Sequence, residues 1–420
     1  MRNQRIGLAV AVAVAAALAP TAPKAVEIAA GAWTFTLNGN VNADYIHSSC
    51  ESTPAPIAGG LACVRADDGQ TTASSVSNGL LPAAFVFGAK TTQNGLDLGA
   101  FFGMYPGVST NDGGSPNLQA GTKLPSGNTA LGSAGLDIRQ VYMTFGNASM
   151  GTFTVGRNIG LFGADVILND MTLPGVGGPG GAASGSPANT TLGGIGLGYI
   201  YTDWLSQIDY TTPDMGGAKV TIGIFDPLNP VGAESEPKSA PGFHGKVAWT
   251  IPGGLYFSAS GLYQKQSATA GVAEYNSHAF DIGGKWTAGP FEVLGWFYDA
   301  KGVGTTGLFL NGADALGDPR DSRGFLAQAT WTVGPTKFGL NYGESRLNAT
   351  SEETTLDPIA ASELVHKNSK VTAGVYHKLT DNLTILGEFS QVRAKSQSDL
   401  AGLGDENTGN TFNIGAFLSF

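Results

Sequence analysis

Apolar and polar residues alternate along most of the chain. In "WTFTLNGNVNADY" one parity runs Trp33, Phe35, Leu37 to Val41 and Tyr45, and the other Thr34, Thr36, Asn38 to Asn42 and Asp44. A period of two puts each set on one face of a β-strand, one apolar and one wet. The last residues, "TFNIGAFLSF", repeat the pattern with Phe412, Ile414 and Leu418 against Thr411, Asn413 and Ser419, and Phe417 is the exception. Both stretches have the length needed to cross a bilayer as tilted strands.

Between these ends, strands are joined in pairs by short turn signals. These are "TTQNG" at Thr91–Gly95, "NASM" at Asn147–Met150, "TPDMGG" at Thr212–Gly217, "IPGG" at Ile251–Gly254, "TAGP" at Thr287–Pro290, "VGP" at Val333–Pro335 and "TDN" at Thr380–Asn382. Each is rich in residues that accept tight-turn geometry. Seven hairpins and two end strands make sixteen strands, and eight longer polar segments lie between them. Short turns on one edge and long loops on the other predict an all-β fold, a sixteen-stranded antiparallel transmembrane β-barrel with its apolar parity outward. A sandwich or propeller would also supply many short strands, but neither obliges short and long connections to alternate. Trp249, Tyr256, Trp286, Phe291 and Trp331 sit beside the short turns, where an interfacial aromatic girdle is expected.

The amino terminus supplies the export route. Arg2 and Arg5 precede the apolar run Ile6–Ala19, and small residues follow, in the order of a secretory signal. The expectation is a signal peptide over residues 1–25, ending between 22 and 30, and a single barrel over 26–420. Loss of Arg2, Arg5 and Lys24 from 23 basic residues leaves 20 against 33 acidic, a balance of −13. That excludes nucleic acid as a natural partner. Beyond the signal, no apolar run is long enough for a membrane-spanning helix, which leaves strands as the only way across. Cys50 and Cys63 share one polar segment, and in an exported chain they are expected to form a disulfide, since a metal site there would have only His47 to call on.

The stretch Asp137–Gly178 resembles the trimeric general diffusion porins of Gram-negative outer membranes. Arg139, "GTFTVGRN", "NDM" at Asn169–Met171 and Leu173–Gly178 follow the family order; "IDYTTP" at Ile208–Pro213 resembles its next turn, and "AFLSF" its carboxyl end. The resemblance implies a homotrimer in the outer membrane, in contact with lipid and lipopolysaccharide. It also implies that the third loop, residues 160–198, folds inward and narrows the lumen. Glycines such as Gly175, Gly177 and Gly178 suit a backbone lying close to a wall, although a flexible external loop would have the same composition.

By the same resemblance Asp170 is the acid of the constriction loop and Arg139 belongs to the facing basic wall; the alternative for Arg139 is an ordinary solvated lumen residue. The family's second loop acid falls at Gly175 or Val176 and is missing here, so Asp165 either substitutes for it or caps the loop root. Arg157 shares the apolar parity of Phe153 and Val155, which suggests an ion pair at the loop root or at a subunit interface. No Lys or Arg occurs from Asn158 to Ala218, so one family arginine is absent. Inward parities carry Lys90, Lys219, Lys246, Lys285 and Lys337, but also Asp44, Asp97, Asp281, Glu292 and Glu388. The expected function is passive diffusion of small hydrophilic solutes and ions with mild cation preference, without cofactor or metal site. The alternatives are a substrate-specific channel for sugars or organic acids, for which Phe101 and Tyr105 are only scattered lumen aromatics, and a structural or adhesive surface barrel. None of the five histidines lies near a nucleophile signature, which argues against an enzyme.

Overall fold

The computed structural model describes residues 25–51, 55–63, 71–108, 136–178, 190–229, 239–267 and 273–420. Residues 1–24 of the expected signal segment, with Gly180 and Gly181 of the third loop, lie outside them.

Eighteen strand segments form one sheet in which every registered neighbour is antiparallel. In chain order they are β1 (Val26–Ala30), β2 (Trp33–Cys50), β3 (Thr72–Ser77), β4 (Ala84–Gln93), β5 (Leu96–Pro106), β6 (Leu136–Asn147), β7 (Gly151–Ile159), β8 (Trp204–Thr211) and β9 (Ala218–Phe225). The second half has β10 (Gly242–Ile251), β11 (Leu255–Gln266), β12 (Tyr275–Ala288), β13 (Phe291–Lys301), β14 (Asp321–Val333), β15 (Thr336–Leu347), β16 (Val365–Lys378), β17 (Leu383–Ser396) and β18 (Glu406–Ser419). The sheet closes where β18 pairs with β2, so it has no open edge.

These segments occupy sixteen positions around the barrel. β3 pairs with the upper part of β2, at Asp44–Ser49, and β4 with its lower part, at Thr34–Asn40, so they are two pieces of one strand broken at Asn78–Ala83. β1 pairs with β2 up to Leu37, directly below the point where Phe420 bonds to Gly39, and so continues the line of β18. All seven short turns join consecutive strands at one edge, and the long connections leave from the other.

The two faces are the reverse of those in a water-soluble sheet. Val41 is 53% exposed while its neighbour Asn42 is 1% exposed; Phe412 is 49% exposed and Asn413 1%. Apolar side chains face outward and polar ones inward, because hydrocarbon surrounds the barrel and polar groups occupy its interior. Trp249, Trp286, Phe291 and Trp331 are exposed in the band beside the short turns. Tyr256 does not join them. It shares the parity of Ser258, points inward, and bonds to a loop carboxylate. Phe417 likewise turns inward and packs in the central apolar cluster. Cys50 and Cys63 form a disulfide across the first long loop, with Cα atoms 5.4 Å apart.

Candidate functional site: the inward loop and its latches

The described parts of the connection between β7 and β8, residues 160–178 and 190–203, lie inside the barrel. Nearly every described residue in it is buried, against Leu294 and Trp296 of β13, Leu326 of β14 and Leu386 of β17 among others. Among the described residues it carries one short helix, α1 (Ala164–Asn169), entered through Gly163 in a left-handed conformation (φ 75°). The Gly163 N–H donates to Asp281 Oδ2 on β12 at 2.9 Å. From the first turn of α1, Asp165 accepts from Lys246 Nζ of β10 (2.8 Å) and from Tyr256 OH (2.8 Å) and Ser258 Oγ (2.6 Å) of β11. Burial pushes the Asp165 carboxyl up, but the Lys246 ammonium and the three donors outweigh it and hold the group below its ordinary range.

Asp170 ends the helix. Its Oδ1 accepts from Thr172 N–H (2.9 Å), Thr172 Oγ1 (2.8 Å) and Asn341 Nδ2 of β15 (3.3 Å), and its Oδ2 from Tyr199 OH (2.8 Å). Gln328 of β14 brackets the same turn, accepting from Met171 N–H at 2.7 Å and donating to the Asn169 carbonyl at 3.1 Å. Glu388 of β17 then takes the loop backbone directly. One oxygen accepts from the N–H groups of Val176 and Gly177, each at 2.8 Å, and the other from Tyr376 OH at 2.5 Å. A side chain at Gly175 would displace that carboxylate and break the latch, and Gly177, with a φ of 68°, sits in a conformation that favours glycine. Lys370 of β16, itself buried, donates to the Gly193 carbonyl at 3.0 Å.

The break between β3 and β4 receives the loop from the opposite side. Leu80 N–H donates to Gly175 O at 2.6 Å, Leu81 N–H to Leu173 O at 3.1 Å, and Thr191 N–H to Gly79 O at 3.0 Å. Asn42 of β2 steadies the break, donating to the Leu81 carbonyl at 2.9 Å and accepting from Gly79 N–H at 3.1 Å. Backbone groups that leave the wall ladder thus find partners in the loop, as buried backbone requires.

Arg139 and Arg157 stand apart from the acids of α1. Arg139 on β6 is buried, donates through Nε to Asp137 at 2.8 Å, and lies 5.0 Å from the Tyr105 ring centre and 5.8 Å from that of Trp204. Arg157 sits across from Val141 and Ser206 on the outward face of β7. Its charge reaches Asp203 at the loop's end, where burial nevertheless pushes the carboxyl up to about 6. Gln328, Lys370 and Asn42 had no distinguishing sequence signal beyond a polar residue on an inward parity.

The geometry is that of a barrel crossed at mid-height by a latched loop. The sequence profile of a Gram-negative porin family matches residues 7–397. The chain belongs to that family. Among solved structures, the outer membrane channel DcaP of Acinetobacter baumannii superposes with a TM-score of 0.65 at 13% identity, covering 93% of this porin and 99% of DcaP. An anion-selective porin from Comamonas acidovorans gives 0.60 at 16% identity over 92% and 100%, and Salmonella typhi OmpF in complex with daunomycin 0.56 at 12% over 94% and 100%. At such identities the likeness is one of fold. No curated protein sequence matches this porin significantly. The porin is an outer-membrane β-barrel channel.

Proposed function

We propose that this porin is a passive channel for small hydrophilic solutes and ions, with residues 160–198 as its constriction and a mild preference for cations. The observation that carries the reading is the charge on the latches. The side chains that meet the loop, or belong to it, include the acids Asp165, Asp170, Asp281 and Glu388 against the lysines Lys246 and Lys370. Arg139 is matched by Asp137 and adds no net positive charge. A confined excess of negative charge concentrates cations and depletes anions, over about 10 Å at 0.1 M salt. The Comamonas acidovorans neighbour is described as anion-selective, so a shared fold does not dictate the sign and the side chains must.

A loop folded inward speaks against the adhesive reading, which needs that loop outside. The substrate-specific reading has one feature in its favour, a set of inward aromatics on β5, β6 and β8. Phe101 stacks on Tyr142 with centres 4.8 Å apart, and Tyr105 lies 5.7 Å from Trp204. Assembly as a homotrimer, with Arg157 at the loop root or the subunit contact, follows the porin pattern, and a similar fold is known in a trimer form for OmpT of Vibrio cholerae. Lipid and lipopolysaccharide are its surroundings. Reversal potentials across a planar bilayer in a KCl gradient test the reading: cation-selective current supports it, and anion selectivity overturns the assigned constriction.

A further inference from the structure

The connection between β13 and β14 also turns into the barrel, and residues 302–309 of it are all buried. Ser277 of β12 and Ser322 of β14, both on inward parities, donate through Oγ to the carbonyls of Gly302 (2.8 Å) and Gly304 (2.6 Å). Val303, Leu308 and Phe309 join one apolar cluster with Tyr298 of β13 and with Phe162 and Ile200 of the inward loop. Tyr201 N–H of that loop donates to the Thr306 carbonyl at 2.7 Å, so the tip of the connection lies directly against it. The pose is tightly held. Phe309 is 2% exposed at a φ of 66°, and a bulky residue keeps a left-handed conformation only where its surroundings over-determine it. The first loop closes on the same spot: a Cβ at Gly196 would meet Leu61 Cδ1 at 2.6 Å and Thr306 Oγ1 at 2.7 Å. Inward-facing polar residues at the extracellular edge, Ser277 (0%), Asn368 (1%) and Ser396 (2%), are covered, although an open mouth would leave them hydrated.

We propose that the tip of this connection, residues 305–309, is a second constriction, stacked on the extracellular side of the inward loop, and that it sets the largest solute the channel admits. The inference rests on the channel reading above and adds to it an element that selects by width. Residues 302–312 carry no ionisable side chain, so a barrier built from them discriminates by size, whereas the inward loop below brings charge. Removing the tip therefore widens the pore and leaves its ion preference as it was.

The test shortens this connection in the otherwise complete porin. Gly304 and Leu310 are paired by a backbone bridge, so two glycines can replace residues 305–309 without moving the flanking chain. The shortened porin should show single-channel conductance about twofold higher in planar bilayers. In liposome swelling it should admit larger oligosaccharides than the parent does, and its reversal potential in a KCl gradient should equal the parent's. If it does not fold, Leu310→Cys decides the matter with the loop intact. The chain's two cysteines are joined to each other, so a bulky maleimide reacts at the new thiol alone. Labelling there should cut conductance by about half or more, and labelling of Leu316→Cys, exposed on the outer part of the same connection, should not. Parental conductance and size limit in the folded shortened porin, or an unchanged current after labelling Leu310→Cys where that porin does not fold, would overturn the proposal. A reversal potential that moves with the size limit would overturn the assignment of width to this loop. Anion selectivity in the parent, with the width effect intact, would count against the charge reading of the inward loop and leave the second constriction standing.

Discussion

Glu388, on the second-last strand, accepts the backbone N–H of Val176 in the third loop at 2.8 Å, although 212 residues separate them. The same oxygen also holds the N–H of Gly177, so one wall carboxylate supplies the acceptor for two consecutive loop amides. A carboxylate so bonded holds a loop more firmly than neutral acceptors could, since charge-assisted bonds are roughly twice as strong.

Replacing that acceptor should loosen the loop. In Glu388→Ala the amides of Val176 and Gly177 lose their partner, at a cost of about 1–3 kcal/mol for each group left dry. The expected outcome is a barrel that still assembles but shows larger and noisier single-channel conductance. Glu388→Gln, which keeps one acceptor oxygen, should fall between that variant and the parent. Unchanged conductance in both variants would show that this latch does not position the loop.

Asp165 and Asp203 should respond to pH in opposite senses. The Asp165 carboxyl is held below its ordinary value of 3.8 chiefly by Lys246 acting against burial, so its contribution is complete above pH 3.8 and is lost as pH falls through the lowered native value. Asp165→Asn should therefore weaken docking of α1 at pH 7, seen as faster amide exchange over residues 163–169, and matter little in strong acid.

Asp203 is raised by burial to about 6, so stability falls as pH rises from 3.8 through 6 and the group becomes charged. Each pKa unit corresponds to about 1.4 kcal/mol, which bounds the effect at about 3 kcal/mol. Asp203→Asn should raise the melting temperature at pH 8 and leave it nearly unchanged at pH 4. Its backbone φ of 58° suits asparagine as well as aspartate, so the change adds no strain.

Asp170→Asn removes one negative charge from the loop and keeps one acceptor oxygen, enough for Thr172, while its amide nitrogen faces the Tyr199 hydroxyl. Reversal potentials should move toward anions with little change in conductance. An unmoved potential would place the narrowest section away from Asp170.

Reduction of the Cys50–Cys63 disulfide should release the first loop and spare the barrel. Closing a loop of this length stabilises by about 3 kcal/mol on the chain-entropy account. Leu61 and Ala62 pack on Leu197 of the inward loop, so limited proteolysis after reduction should cut near residues 55–63 while the strands stay protected. A cleavage pattern unchanged by reduction would mean that packing alone holds the loop.

The sequence by itself determined the barrel. Strict alternation, as at Val41 and Asn42, says which face is apolar, and turns such as Asn94–Gly95, both at positive φ, say where the chain reverses. These signals are legible because they depend on neighbours a few residues away and on the solvent outside. Even so, residue type misplaces Tyr256 when it is allowed to outvote parity: a tyrosine beside a short turn suits the lipid interface, but its position on β11 sends it to Asp165. Only the tertiary structure decided how the loop is held. Glu388 with Val176, Lys370 with Gly193, Gln328 with Met171 and the break at Asn78–Ala83 join segments far apart in the chain, and each side chain looks in sequence like any other polar residue on an inward parity. Closure of the sheet brings those inward faces around one axis, and a hydrogen bond across that space depends on the position of both partners, which no local pattern records.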